Sequence, residues 1–425
     1  MKVRPFDGCI VSPALAAEVV TPAYDAMLPE ERARFAESHP LNYVNAMRSP
    51  EEFPAGRAPP LAQLLAGNRA QLVKLLGKNA FRPIGGRCFF IYRLRAGGHT
   101  QTGVVAQVAI DEYAAGAIKL HEDTTREKER QLARYLDAVG AVSSPVCLAC
   151  AGDGAIDSCV GRLSEREPLL DFDIGDGVRQ SIWKVGGGDV HHLHGLLGAV
   201  RTAYLTDGHH RCAAGLRYAE QRRAAGEGES GGEGGAGHNW LLVAFFPQNQ
   251  LRVLSYHRCV RDLNGLSLDQ FLAKVSENFT LSAADPADPL PKKRGRFALF
   301  VDGRWHALSI KAPPPPDPVE QLDVRVLEQK LLAPVLGITS PRDDPRLGYV
   351  AGVSGAAGLA ERCRRDWRLG IACHPVSLPQ IMAVADAGKM MPPKSTWFDP
   401  KMRSGIFLTR CNRPAASANP DDWSE

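Results

Sequence analysis

The chain has 425 residues, of which 44% are hydrophobic and 23% charged, and its formal net charge is +4. That length exceeds one typical domain of roughly 150 residues, and the composition is that of an ordinary globular protein. The small charge excess leaves no footprint for a nucleic-acid partner, and no apolar run reaches the roughly 18 residues of a membrane span.

Pro5, Asp7 and Gly8 interrupt any apolar core of an N-terminal signal peptide. Ten cysteines are spread along the chain with only Cys147 and Cys150 close together, which reads as free thiols in a reducing cytosol. A cytoplasmic protein is therefore expected, with neither nucleic acid nor membrane as partner and an oligomeric state that the composition does not address.

Taken in order, the chain opens with Thr21-Pro22-Ala23-Tyr24-Asp25, where Pro22 stiffens the backbone and holds Tyr24 and Asp25 on a fixed loop. Pro29 to Glu37 reads as a helix with an acidic first turn. From Pro40 to Arg48, the polar residues Asn42, Asn45 and Arg48 interrupt an apolar run, either as caps or facing a ligand. Tyr24, Asp25 and Asn42 are the substrate-contact candidates. Leucines at helical spacing follow from Leu61 to Leu76, and then a hairpin of Phe89 to Leu94 with Gly103 to Ile110 around Gly97-Gly98.

His121-Glu122-Asp123 stands between a short apolar approach and a charged helix that Thr124 or Thr125 can cap. The triplet is either a solvated helix start or the place for a general base or Mg2+ ligand, with His121 and Glu122 as catalytic candidates. Val142 to Ala149 reads as a strand whose Cys147 and Cys150 are buried. Ile182 to Val185 is a further strand, and His191 to His194 lies on a surface helix.

The densest chemistry is in Tyr204-Leu-Thr-Asp-Gly-His-His-Arg211. An apolar strand runs into Thr206-Asp207-Gly208, and a helix begins directly after it. Gly208 allows a positive φ or a close ligand, the helix start favours an anion, and Arg211 can fork onto its oxygens. Asp207, His209 and His210 add proton-transfer or metal-ligand capacity, with Asp207 the metal candidate. A plain turn with a helix cap is the alternative.

The Gly/Glu-rich stretch over about 225–238 reads as a disordered insertion. Leu241 to Phe246 and Leu251 to Arg258 form a predicted hairpin across Gln248 to Gln250, which ends at the cationic pair His257 and Arg258, candidates for phosphate contact, or is simply an edge terminus. Lys292 to Arg296 is a solvated basic loop, Asp302-Gly303 a hairpin turn, and Pro313 to Pro316 a stiff linker into a helix over Leu322 to Leu332. The run from Met390 to Phe407 alternates prolines, lysines, hydroxyls and aromatics before a strand at Gly405 to Leu408. Lys394, Ser395, Thr396 and Lys401 are candidates for phosphate contact there, and Trp397 for stacking on a base; a proline-stiffened loop is the alternative.

Five segments together resemble a widespread bacterial family of unknown function marked by Asp-Gly-His-His-Arg. They are Thr21 to Asp25, Gln101-Thr-Gly103, His121-Glu122 with Thr124, Asp207 to Arg211, and Pro393 to Lys401. The central turn is similar to that of ParB-like and sulfiredoxin-like proteins, where it holds nucleotide phosphates, and to that of the ADP-dependent kinase of free serine. The resemblance implies that Asp207, His209, His210 and Arg211 bind phosphate and metal, with Glu122 a candidate base; Gly208 is a phosphate-contact candidate beside them. This chain has Cys212 where many members carry an aromatic residue.

The expected fold is thus α/β with mixed sheets around a ParB/sulfiredoxin-like strand-turn-helix core. The expected organisation is a core domain over 1–311 and a C-terminal α/β region over 318–425. The expected function is nucleotide-dependent phosphotransfer to a small hydroxyl metabolite, serine or phosphoserine, with ADP or ATP and Mg2+. The alternatives are a non-catalytic ParB-like nucleotide-binding switch and a metal-dependent hydrolase. No Walker loop or dinucleotide glycine fingerprint is present.

Overall fold

The computed structural model describes residues 1–152, 154–228 and 235–411. Its chain divides into two compact units: Met1–Lys119 with Thr124–Leu251 and Pro400–Glu425, and Leu120–Asp123 with Arg252–Asp399. The expected cut at 311–318 is not where the division falls, because Pro313 to Pro316 lies inside the second unit. Both units are assembled from separate chain segments, so spatial contact and not chain order defines them.

The fold is α/β with mixed sheets, as expected. In the first unit a nine-stranded sheet runs Ile118–Lys119, Ala203–Asp207, Val146–Cys150, Trp240–Pro247, His99–Ala109, Phe89–Ala96, Arg179–Val185 and Leu170–Asp173, with Val3–Arg4 beside His99–Ala109. Ala203–Asp207 is parallel to Ile118–Lys119 and antiparallel to Val146–Cys150, which is in turn parallel to Trp240–Pro247. Every residue of Trp240–Pro247 is buried, which is why the run is apolar without alternation. The hairpin around Gly97-Gly98 forms, although its second strand starts earlier, at His99, and Ile110 opens the helix Ile110–Ala114.

Around this sheet the helices follow their leucine and capping patterns. Leu61–Gly77 and Pro29–Ser38 form where the spacing predicts them. Arg126–Val139 is capped by Thr125, whose hydroxyl accepts from the Lys128 N–H at 3.4 Å, and it ends on Gly140 at φ 71°. The strand expected over 142–149 is two strands, Ala141–Val142 and Val146–Cys150, because Pro145 has no N–H to give to a ladder. Cys147 and Cys150 are buried thiols in the second of these. His191 and His192 are exposed on the helix Gly188–Gly198, as the sequence suggests.

In the second unit a six-stranded antiparallel sheet runs Phe279–Ala283, Arg304–Ile310, Arg296–Val301, Leu369–Cys373, Tyr256–Val260 and Leu347–Ala351. Asp302 and Gly303 turn its hairpin with φ 48° and 74°, the pair of positive values that a two-residue I′ turn requires. The helix expected over 322–332 is Asp323–Leu327 continued by a π-helical turn, Glu328–Leu332.

The hairpin expected across Gln248 to Gln250 does not form. Arg252–Leu254 pairs instead with Trp397–Asp399, and Tyr256–Val260 joins the six-stranded sheet. Apolar residues on either side of a short turn suit any neighbouring strand, so proximity in sequence does not select the partner. Of the stretch expected to be disordered, residues 229–234 lie outside the described residues, while Gly237–Asn239 is a buried 3-10 turn. No helix among the described residues is long and apolar enough to cross a membrane.

Candidate functional site

In the first unit the site is built by an irregular strand end. Tyr204 and Leu205 pair regularly with Ala149 and Leu148, then the register slips, so that Asp207 stands opposite Cys147 and Thr206 is the extra residue. The Thr206 hydroxyl donates to the Cys147 carbonyl at 3.1 Å and holds this bulge. Bulges of this kind re-aim the next side chain, and here that side chain is Asp207. Gly208 follows at φ 103°, a left-handed value that suits glycine. A Cβ at Gly208 would stand 3.0–3.2 Å from the Arg211 guanidinium, so the glycine also lets Arg211 fold back over the turn.

The helix His209–Ala224 starts at this point with glycine as its N-cap, a residue with no side chain to occupy the first-turn N–H groups. Gly215 brings it close to the sheet, since a Cβ there would lie 2.8 Å from Leu241 Cδ2. Asp207 is partly buried and paired through both oxygens: Lys401 Nζ donates to Oδ1 and Arg211 Nη2 to Oδ2. Arg211 Nη1 donates to the Pro145 carbonyl at 2.8 Å, and Lys401 Nζ is also 3.7 Å from Asp25. Burial works to raise the Asp207 pKa, and the charges of Lys401 and Arg211 outweigh it, holding the carboxyl well below the usual carboxylate range.

Asp207 therefore fits poorly as a metal ligand, a correction to the sequence reading. Both of its oxygens face cations, and a divalent ion placed there would be repelled by two positive charges. Among the described residues, no three His, Cys, Asp or Glu side chains form a group that could hold a metal. The turn presents two oriented cations, a carboxylate that fixes them, and the positive end of a 16-residue helix. His209 is buried and His210 half-buried in the first turn of that helix.

The second unit holds its own cluster. The Thr396 hydroxyl donates to Glu122 Oε1 at 3.3 Å, and His121 Nε2 lies 3.4 Å from the same hydroxyl and 4.0 Å from Glu122 Oε1. His121 is buried, while the Glu122 side chain keeps 34% of its surface exposed. A carboxylate oriented by a hydroxyl and open to solvent is arranged for proton transfer. The Met391 N–H donates to the His121 carbonyl at 2.8 Å, so the proline-rich run and the triplet are tied by backbone as well.

Several predicted contacts turn out to be structural. Asn42 is buried with its amide fully engaged: it accepts from Thr21 and Val44 and donates to the carbonyls of Glu18 and Val20. Tyr24 donates to Glu52 and accepts from the Ser49 hydroxyl beneath the Arg32 guanidinium, and only its neighbour Asp25 reaches the Lys401 group. Ser395 donates to the Pro392 carbonyl at 2.6 Å and closes a turn. Trp397 is 4% exposed, perpendicular to the Tyr256 ring with centroids 5.4 Å apart, so burial keeps it from stacking on a base. Lys394 is exposed, with φ 55°, and its Nζ lies 5.2 Å from the centre of the Tyr256 ring.

His257 and Arg258 are corrected as well. Arg258 is buried and donates to the carbonyls of Tyr256 and Lys394, at 2.6 and 3.3 Å, so it anchors the loop instead of meeting a phosphate. Burial, with Arg258 adding to it, pushes the His257 pKa down from 6.5 to about 4, which makes it a neutral side chain near pH 7. Because the folded value is the lower one, stability is fully present above about pH 6.5 and is lost as pH falls toward 4. The shift corresponds to roughly 3 kcal/mol. Urea unfolding between pH 7 and pH 4 should accordingly show a shallower loss of stability in His257→Gln than in the wild type; equal slopes would contradict the burial argument.

The pairing of Lys401 with Asp207 is not legible in the sequence, because residues 194 positions apart carry no periodic signal. Nor does the sequence mark Glu129, which accepts from Thr124 and pairs with Arg217 on the helix His209–Ala224 at 3.3 Å.

A family model described as "Protein of unknown function (DUF1015)" matches residues 3–325. The chain belongs to this family. The DUF1015 match includes the 203–211 turn and the His121-Glu122 segment, whereas Lys394 to Lys401 lies beyond it. Among solved structures, the chain is similar to a mutant free serine kinase in complex with AMP, at 13% identity and a TM-score of 0.37, over 72% of this chain and 91% of that one. It is also similar to a conserved hypothetical protein from Pyrococcus furiosus, at 12% identity and 0.33, over 72% and 95%. SbnI with a C-terminal truncation from Staphylococcus aureus is similar at 11% identity and 0.35, over 75% and 92%. No curated protein matches the sequence.

Proposed function

We propose that this DUF1015 protein moves a phosphoryl group between a nucleotide, ADP or ATP, and a small hydroxyl compound. Serine or phosphoserine is the substrate class suggested by the resemblance of the Asp-Gly-His-His-Arg turn to that of the free-serine kinase. The observation that carries the reading is the charge arrangement at the turn: Lys401 and Arg211 locked in place by Asp207 at the start of the helix His209–Ala224. In-line phosphoryl transfer involves little covalent chemistry for the protein and depends on oriented positive groups at the transferring phosphate.

In this scheme the nucleotide's phosphates lie over the first turn of the helix. Arg211 carries five N–H donors, and its bonds to Pro145 and Asp207 engage one on each terminal nitrogen. The substrate oxygen forms its bond to phosphorus as the bond to the nucleotide's bridging oxygen breaks, and a base takes the hydroxyl proton; Glu122, oriented by Thr396, has the chemistry of such a base. His121 positions Thr396 and Glu122. Any divalent ion arrives with the nucleotide phosphates, since Asp207 is already engaged.

Incubation with serine and ATP or ADP, and with phosphoserine and ADP or AMP, should give phosphoryl transfer visible by 31P NMR. Nucleotide binding with no transfer in either direction would overturn this reading in favour of the ParB-like switch. Release of inorganic phosphate alone would favour a hydrolase.

A further inference from the structure

Inside the first unit lies a cavity of about 110 Å³ whose wall includes Tyr43, Tyr135, Tyr218, Trp240, His238 and Arg211. Nothing in the phosphotransfer scheme uses it apart from Arg211. Its volume is of the same order as the ~150 Å³ engineered cavity that takes up benzene, so it can house a planar ring.

Two features separate it from a packing defect. The first is polar. His238 and Trp240 are 4% and 5% exposed; the His238 ring is engaged by the Gly228 backbone, and among the described residues the indole Nε1 of Trp240 has no hydrogen-bond partner. A buried polar group left without its hydrogen bond is costly, so this wall calls for a ligand that carries donors and acceptors of its own. Burial first, and then the charge of Arg222, keeps the His238 pKa below its ordinary value. With its N–H on the Gly228 backbone, the His238 imidazole has an acceptor nitrogen left and Trp240 Nε1 a donor, together the pattern found along the edge of a nucleobase.

The second is position. Arg211, Ala214, Gly215 and Tyr218 line the cavity from one face of the helix His209–Ala224. At 1.5 Å per residue they cover about 10 Å of helix, beginning at the first turn. A molecule with its anion on that first turn and a ring within the reach of one sugar has its ring in the cavity.

We propose that this cavity receives the base of the nucleotide, a planar heteroaromatic ring packed among Tyr43, Tyr135 and Tyr218 and hydrogen-bonded by His238 and Trp240. The inference rests on the phosphotransfer reading for its phosphate end only. The ring site is therefore tested with ligands that have no phosphate.

Equilibrium dialysis of adenosine and of cytidine against the full chain should show that at least one binds, with pyrophosphate binding measured in parallel. Ala214→Leu fills the cavity from the helix, and Leu132→Phe fills it from a partly buried position on Arg126–Val139 that tolerates added bulk. Each variant that retains the wild-type melting temperature should weaken nucleoside binding about tenfold or more and leave pyrophosphate binding unchanged. The proposal is overturned if neither nucleoside binds while pyrophosphate does, or if the filled variants bind nucleosides as the wild type does. Nucleoside binding without phosphoryl transfer would leave the cavity assignment standing and defeat the catalytic reading alone.

Discussion

Lys401→Ala should lower turnover roughly 100- to 1000-fold, about 3–4 kcal/mol of transition-state stabilisation, the scale on which removal of one preorganised charge-stabilising group acts. Lys401 is held by Asp207 and is 14% exposed, so its charge is oriented before substrate arrives and only weakly diluted by water. The variant leaves Asp207 with Arg211 as a partner, and the protein should remain folded at neutral pH. The Asp207 carboxyl lies below the usual carboxylate range, so its stabilising contribution is present at neutral pH and lost only in acid, below about pH 4. Steady-state rates at pH 7, with melting curves as the control, measure the effect directly; an unchanged kcat would show that Lys401 only braces the turn.

Glu122→Gln should reduce kcat by about 100- to 10,000-fold, the range that general-base catalysis supplies, while the affinity for nucleotide stays close to that of the wild type. The amide keeps the shape and still accepts from the Thr396 hydroxyl, but it cannot take a proton. Single-turnover rates and nucleotide binding, measured side by side, separate the two effects. A variant that loses binding and rate together would place Glu122 among binding or structural groups instead.

What the sequence makes legible follows from where the signals are local. The 203–211 strand, turn and helix, the Leu61–Gly77 helix, the Asp302-Gly303 hairpin and the Thr125 cap are each written in a few consecutive residues, and each forms. The hairpin across Gln248 to Gln250 fails for the opposite reason: antiparallel pairing at Arg252–Leu254 depends on Trp397–Asp399, far away in the chain. Side-chain roles are less legible still. Asn42, Ser395, His257 and Arg258 have the chemistry of ligand contacts, and burial together with local carbonyls and N–H groups absorbs it. The bulge at Thr206, which aims Asp207, depends on the register of a neighbouring strand and has no signature in the motif itself. The cavity beside Arg211 is equally hidden, because its walls come from six separate stretches of chain.

The claim on which the functional account depends is that the turn at Gly208 to Arg211 is a phosphate site. Titration calorimetry of pyrophosphate and ADP into the wild-type protein and into a folded Arg211→Ala variant tests it with no assumption about substrate. The account predicts that both ligands bind the wild type and that the variant binds each about tenfold or more weakly. Binding of equal strength in the two proteins, or none in the wild type, would contradict it.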